Sequence, residues 1–448
     1  MNSNIEFFSC IYLCVLIKCC WWLCMKFYIY NLGCKVNSYE SNVMYDNFIN
    51  NGFKSCSVDE ADIIVINSCC VTNSADNKTM KLIRHVRNNY EAILVVVGCF
   101  IQSHKDDLSE IPGDILIGNI NKSIVSNYVM KFLDTKERIV DVSDIFKASF
   151  ETMKLNNFNH TRAFIKIQDG CNNFCSYCII PFTRGGVRSK RREDVLSEVC
   201  DLISSGHKEI VLTGIHTGNY GSEFDNYDFA CLLEELVLIK GLERLRISSI
   251  EITEINDRVI DIIKNNDVLV DHMHIPLQSG SDVILKAMNR KYDINYFINK
   301  INVLRSIRPN ISITTDIIVG FPGETDDLFL ETVSNIKKIG FSKIHVFPYS
   351  RRVGTVADMM DNQVDECIKK KRVKVLLDLS RELEISYMNV FIGSKVSFIP
   401  EVIKDGYLIG HTGNYLNIKC KGDNLDHVSH EVIISSIEYP YCIGETLK

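Results

Sequence analysis

The sequence predicts a multidomain α/β chain: a small N-terminal α/β domain with a parallel sheet, a central partial barrel of six β/α units, and a small C-terminal all-β barrel. Three observations predict it. From Met25 to about residue 125, strand-like and helix-like segments alternate, and runs such as "DIIVIN" and "AILVVVG" suit parallel strands buried on both faces. From Arg162 to Tyr349 the alternation repeats on a larger scale. After Gly393 the chain breaks into short strands separated by turn residues.

In chain order, the N-terminal strands fall at 26–31, 62–67 and 93–98, with helices at 38–50 and 74–88. This domain lacks a Gly-x-Gly-x-x-Gly fingerprint, so no dinucleotide is implied. Residues 126–160 read as a connecting segment. The larger series places strands at 162–168, 209–213, 244–249, 272–276, 312–319 and 343–347, separated by helices such as 192–204 and 328–338. Six units rather than eight leave a barrel open along one side. A charged helix follows over 365–388, carrying "KKKRVK" at 369–374. The strands "KVSFIPEVI", "GYLIGHT", "YLNIKCK" and "HEVIISSIEY" then make a barrel of about 60 residues. The boundaries expected are an upstream extension over 1–24, then domains over 25–140, 155–388 and 389–448.

Composition bounds the chemistry. The 448 residues are 46% hydrophobic and 24% charged, enough apolar material for real cores. A net charge of −6 excludes a chain coated in basic residues, though not binding of nucleic acid through local patches. Disulfide frameworks belong to small domains with weak cores, so the 18 cysteines of this long chain point to reduced thiols serving metal or cluster chemistry. The first 24 residues contain an apolar run, but Glu6 precedes it, Lys18 interrupts it, and no small-residue cleavage site follows. The expectation is that the natural chain starts at Met25; the competing reading is a membrane anchor, which a run this short supports poorly. No role is assigned to Cys10, Cys14, Cys19, Cys20 or Cys24.

Two cysteine constellations stand out. Cys171, Cys175 and Cys178 lie in "GCNNFCSYCIIP", just beyond the first strand of the six-unit series, at the end where barrel enzymes carry their chemistry. Structural zinc normally pairs two Cys-x-x-Cys knuckles, and no matching knuckle exists; a disulfide would leave one thiol over. Three thiolates suit a [4Fe-4S] cluster whose fourth iron has no protein ligand and stays open to a small molecule. Separately, Cys34, Cys69 and Cys99 each follow a successive N-terminal strand and would converge on one edge of a parallel sheet, where ligands collect in open α/β folds. That pattern alone fits a second metal site and buried structural thiols equally well.

The Cys171-x3-Cys175-x2-Cys178 motif with Tyr177, at the head of a β/α series, resembles the radical S-adenosylmethionine superfamily. The resemblance implies that the open iron chelates the methionine moiety of S-adenosylmethionine, and that one electron then releases a 5′-deoxyadenosyl radical able to attack an unactivated C–H bond. "NLGCKVNSYES", "INSCCVTNSADNK" and "VVVGCF" resemble the N-terminal domain of the methylthiotransferase family within it, which implies a second [4Fe-4S] cluster on Cys34, Cys69 and Cys99. Cys70 stands where that family usually has threonine; Cys69 occupies the motif's cysteine position and is chosen as ligand. "LTGIHTGNYG", "RISSIE", "HIPLQSGSDVILKAMNRKY", "TDIIVGFPGET" and "FPYSRRVGTVA" follow in family order, so the likeness covers essentially everything after Met25. The C-terminal barrel resembles the RNA-binding TRAM domain.

Two of these phrases are closest to the branch that modifies threonylcarbamoyladenosine beside the transfer-RNA anticodon. The resemblance thus implies a cytoplasmic transferase that places a methylthio group on adenine C2. Its cofactors would be two [4Fe-4S] clusters and S-adenosylmethionine, and its partners tRNA and a flavodoxin- or ferredoxin-like electron donor. The sulfur donor is not identified, and no membrane partner is expected. The alternatives are the same chemistry on isopentenyladenosine or on a ribosomal-protein aspartate, and a non-enzymatic iron–sulfur protein that binds RNA or senses redox state.

By the same resemblance, Thr213 and Gly214 face the methionine amino group, Ser249 and Glu251 the ribose or methionine end, and Gly320 the adenine; each also fits an ordinary strand-end or turn role. Arg184, Arg188, Lys190, Arg191 and Arg192 form a basic run beside the first loop, and Lys78, Lys81, Arg84 and Arg87 recur every three residues on one helix. Both, with "KKKRVK", are candidate phosphate contacts. From Met388 onward five lysines face seven acidic residues, an odd balance for a barrel gripping RNA. His411 and Tyr415 suit base stacking or, more simply, packing.

Overall fold

The computed structural model describes residues 25–155, 158, 161–426 and 428–446. The reading of residues 1–24 lies outside the described residues. Among those described, no helix is long and apolar enough to cross a membrane. The chain divides into two compact units, one of residues up to 155 together with 180–186, the other of 156–179 and 187–448.

The first unit is a six-stranded parallel sheet of β1 (Lys26–Asn31), β2 (Lys54–Ser55), β3 (Ile63–Ser68), β4 (Ile93–Gly98), β5 (Ile115–Ile117) and β6 (Ile139–Asp141), in the order β2-β1-β3-β4-β5-β6. β3 is buried along its whole length, as an apolar run without alternation requires. Successive side chains serve opposite faces. Ile63, Val65, Val95 and Val97 pack with Met44 and Phe48 of helix Lys35–Asn50, while Ile64, Ile66, Leu94 and Val96 pack with Ile83 and Val86 of helix Asn73–Asn89. The span expected to be a connector instead forms helix Val125–Thr135 and edge strand β6, because Val125 and Val129 complete the first of these cores.

In the second unit, β7 (Arg162–Lys166) is followed by a two-residue antiparallel pair, β8 (Gln168–Asp169) with β9 (Arg188–Ser189). β10 (Glu209–Thr213) and β11 (Arg244–Ile247) pair with β7 as β11-β10-β7; β12 (His272–His274), β13 (Ser312–Val319) and β14 (Lys343–Pro348) form a second parallel trio. A bridge between Leu245 and Leu269 joins the two trios, and no pairing of β14 with β7 closes the array among the described residues. The series is therefore an open six-strand partial barrel. Helix Glu366–Asn389 leads into a closed five-strand barrel of β15 (Lys395–Lys404), β16 (Tyr407–Thr412), β17 (Asn417–Lys421), β18 (His430–Glu438) and β19 (Tyr441–Thr446). The fifth strand adds to the four read from the sequence.

Candidate iron–sulfur and cofactor sites

In the first unit, Cys34, Cys69 and Cys99 follow the C-terminal ends of β1, β3 and β4. Glycine shapes two of these exits. Gly33 has φ +135°, and a Cβ there would sit 3.1 Å from the Cβ of Cys69; Gly98 has φ +104°, and a Cβ would sit 2.9 Å from the Ser68 carbonyl. The three cysteines are graded in exposure: Cys34 exposed, Cys69 half-buried, Cys99 buried. All are free thiols. Burial and the neighbouring Cys99 push the Cys69 thiol up to about 11. Cys99 runs the other way: its hydrogen bond with Cys70 lowers it, burial opposes, and the cations of Arg184 and Lys122 lower it further. Cys70 is fully buried and raised well above the usual thiol range by its bond to Cys99.

A buried polar group surrounds Cys99. The Arg184 Nε–H donates to its Sγ at 3.3 Å, and Asn119 Nδ2 lies 3.5 Å from the same sulfur. Glu40 accepts from Arg184 Nη1 at 2.9 Å and Lys122 Nζ at 2.6 Å, with all three side chains at most 1% exposed. Asn119 is fixed by donating to the Thr183 carbonyl at 2.7 Å. Sequence reasoning missed Glu40, Asn119 and Lys122. It also placed Arg184 on a phosphate-facing surface, which its burial against Glu40 corrects.

The other basic runs are corrected in part. Lys190 is buried in an ion pair with Glu198, and Arg188 lies 3.7 Å from Asp169; Arg191 and Arg192 stay accessible but paired with Asp194 at 2.9 Å and Glu235 at 2.7 Å. In "KKKRVK", Lys369 bonds Glu366 and the Tyr349 carbonyl, and Arg372 bonds Glu324 and Asp326, both from the buried helix face. His411 and Tyr415 are packing residues: His411 bonds Glu401 at 2.9 Å, and the Tyr415 hydroxyl accepts from Arg162 at 2.7 Å.

In the second unit, Cys171, Cys175 and Cys178 lie on the loop after β8, none of them in a disulfide. Ser176 pins the loop from inside, its N–H and hydroxyl donating to the carbonyls of Met288 at 3.1 Å and Ala287 at 2.8 Å, its carbonyl accepting from Ala357 at 2.7 Å. Tyr177 is half-buried, its ring edge-to-face with that of Phe321. Arg290, held by an ion pair to Glu251, donates from Nη1 to the Cys175 sulfur at 3.4 Å. His216, paired with Glu254, places Nδ1 3.6 Å from the Cys171 sulfur. Burial works to lower the imidazole, but the bonds to Cys171 and Glu254 outweigh it and push His216 up to about 10. Arg290, His216 and Glu254 were not singled out from the sequence, although "MNRKY" and "GIHTG" contain the first two.

Of the five cofactor-side candidates, Glu251 joins the Cys175 loop through Arg290. Thr213 is buried at the end of β10, and a Cβ on Gly214 would meet Gln168 Oε1 at 3.0 Å, the same oxygen that accepts from His216 N–H. Ser249 is half-buried beyond β11. Gly320, with φ +71°, sits under the Lys369 side chain, and its N–H donates to Glu324 at 2.6 Å. Among the described residues, no three His, Cys, Asp or Glu side chains converge closely enough to hold a single metal ion. The donor chemistry fits iron–sulfur clusters: two separate trios of cysteines outside any disulfide, each beside a cation that is itself held by a carboxylate.

An open six-strand β/α array with a Cys-x3-Cys-x2-Cys loop at the end of its first strand defines a radical S-adenosylmethionine enzyme, and residues 165–336 match the model of the "Radical SAM superfamily". Residues 26–118 match "Uncharacterized protein family UPF0004". The chain is 40% identical to "Threonylcarbamoyladenosine tRNA methylthiotransferase MtaB" of Bacillus subtilis, over 94% of this chain and 96% of that protein. The protein of the same name from Thermotoga maritima is 37% identical over 91% and 94%. "tRNA-2-methylthio-N(6)-dimethylallyladenosine synthase" of Thermoanaerobacter pseudethanolicus is 34% identical over 85% and 83%. The structure of the radical S-adenosylmethionine methyltransferase TsrM from Kitasatospora setae, with cobalamin and a [4Fe-4S] cluster bound, shares the fold at TM-score 0.56 and 11% identity, over 75% of this chain and 74% of that one. This chain belongs to the radical S-adenosylmethionine methylthiotransferase family. Enzymes of the family work with [4Fe-4S] clusters and S-adenosylmethionine.

Proposed function

We propose that this protein is a tRNA methylthiotransferase that places a methylthio group on adenine C2 of threonylcarbamoyladenosine beside the anticodon. The observation that carries the reading is the pair of separate cysteine trios outside any disulfide, each at the C-terminal end of parallel strands and each beside a cation–carboxylate pair. The relatives named for threonylcarbamoyladenosine, at 40% and 37% identity, favour that substrate over the dimethylallyl derivative of the relative at 34%. In this reading Cys171, Cys175 and Cys178 hold one [4Fe-4S] cluster, and Cys34, Cys69 and Cys99 hold a second. When bound, these clusters supply the electron that cleaves S-adenosylmethionine and the iron site at which sulfur is delivered.

The chain's own residues do the rest. Arg290 and Glu251 orient Cys175, and His216 and Glu254 orient Cys171. Thr213, Gly214, Ser249, Glu251 and Gly320 are the candidates to seat the cofactor. The cellular setting is cytoplasmic, where reduced thiols and tRNA meet.

The test separates the two trios. Anaerobically prepared protein should carry about eight irons per chain. Cys175→Ala should abolish formation of 5′-deoxyadenosine, whereas Cys99→Ala should spare that cleavage and block thiolation of tRNA. Normal thiolation by Cys99→Ala would refute the two-site reading. Nucleoside mass spectrometry of a deletion strain identifies the substrate, by which methylthio derivative disappears.

A further inference from the structure

The triad of Glu40, Lys122 and Arg184 is costly to bury, because each ion gives up its hydration inside the protein. One carboxylate faces two cations, so the triad carries a formal +1, and it lies against the Cys99 sulfur. Arg184 also acts electrostatically on Cys69. The guanidinium is clamped at both ends, with Nη1 and Nη2 on Glu40 at 2.9 and 3.3 Å and Nε directed to Cys99 at 3.3 Å. A lysine could supply the charge but not this fork. Asn119 adds a second N–H to the same sulfur and is tied to the segment that carries Arg184 through the Thr183 carbonyl. Cys34 stands in different surroundings, exposed and turned to the Asn37 side-chain oxygen at 3.3 Å. Cys69 accepts a single backbone N–H, from Val71, whereas Arg184, Asn119 and Cys70 all turn to the Cys99 sulfur.

We propose that Arg184 is a positioning residue for the centre at Cys34, Cys69 and Cys99, holding the Cys99 sulfur through its Nε–H and raising the reduction potential of an iron–sulfur cluster bound there. This rests on the reading that the trio holds such a cluster. Hydrogen bonds to ligating sulfur and positive charge nearby both stabilise the more negative, reduced state. Asn119 reinforces the effect, and Glu40 fixes the direction of the Nε–H.

The experiment uses the full chain carrying Cys171→Ala, Cys175→Ala and Cys178→Ala, so that one cluster remains to be observed. After anaerobic reconstitution, iron content is measured and the potential is followed by electron paramagnetic resonance during redox titration. Arg184→Lys, which keeps charge without the fork, should move the potential to more negative values, and Arg184→Met should move it further. Ile83→Val, a buried change in the same unit, is the control for lost stability and should leave the potential in place. The proposal is overturned if both Arg184 variants retain iron at the parent potential, if Ile83→Val shifts it equally, or if both Arg184 variants bind no iron, which would make Arg184 structural. A parent protein without iron would overturn the two-cluster reading itself.

Discussion

The guanidinium carbon of Arg246 lies 3.9 Å from the ring centroid of Tyr415. Arg246 belongs to β11 of the partial barrel and Tyr415 to the turn between β16 and β17, so this contact fixes the C-terminal barrel onto the parallel strands. Arg162 donates to the Tyr415 hydroxyl at 2.7 Å, and Arg246 also bonds the Gly413 carbonyl at 3.0 Å. Tyr415→Ala should lower stability by about 2 kcal/mol through lost cation–π and aromatic packing. Tyr415→Phe, which loses only the hydroxyl, should cost about 1 kcal/mol. Urea unfolding checks the ordering; equal losses would put the weight on the hydroxyl rather than the ring.

Gly98→Ala should cost about 2 kcal/mol, since an alanine at positive φ is strained and its methyl group has no room beside the Ser68 carbonyl. The thermal transition of the purified protein reports it. A change below about 0.5 kcal/mol would show that the turn into Cys99 relaxes freely.

His207 supplies a pH prediction. It is buried, its Nε2 accepts the Phe158 N–H at 3.2 Å, and burial holds its pKa below the usual value near 6.5. Above that value the ring is neutral folded or unfolded, and its contribution is fully present. As pH falls, the unfolded chain takes up the proton first, so stability is lost until the folded-state pKa is passed. The difference in urea midpoint between pH 8 and pH 5.5 should therefore be smaller in His207→Gln. An unchanged difference would remove His207 from the pH dependence.

Lys78, Lys81 and Arg84 are exposed along one face of helix Asn73–Asn89, while Arg87 of the same row pairs with Asp114 at 2.8 Å. If tRNA lies on this face, reversing all three charges should weaken binding and reduce the slope of log affinity against log salt by about 3. Filter binding across a salt series measures it. An unaltered slope would move the phosphate contacts elsewhere.

Much of the architecture was legible because the buried parallel strands announce themselves. β1, β4, β10 and β13 fall on the residues expected, since an apolar run flanked by polar turns admits one placement. β2, β5 and β6 are two or three residues long, too short to carry a pattern, and so went unseen. Spacing alone singled out Cys171, Cys175 and Cys178, whereas for Cys34, Cys69 and Cys99 it left a metal site and structural thiols level until the family resemblance chose between them. The surroundings of these cysteines were not legible, because Glu40 meets Arg184 across 144 residues of sequence. A run of cations reads as a solvated surface until the carboxylates that bury Arg184 and Lys190 are known. The 3.6-residue period likewise turns Lys369 and Arg372 inward while Lys370, Lys371 and Lys374 stay outside.

The stepwise burial from Cys34 through Cys69 to Cys99 gives that rim of the sheet a front and a back. Oxidants, chelators and small sulfur species all travel in water, and water reaches Cys34 first. Oxidative damage should therefore begin at Cys34, with Cys99 the last of the three thiols to be reached.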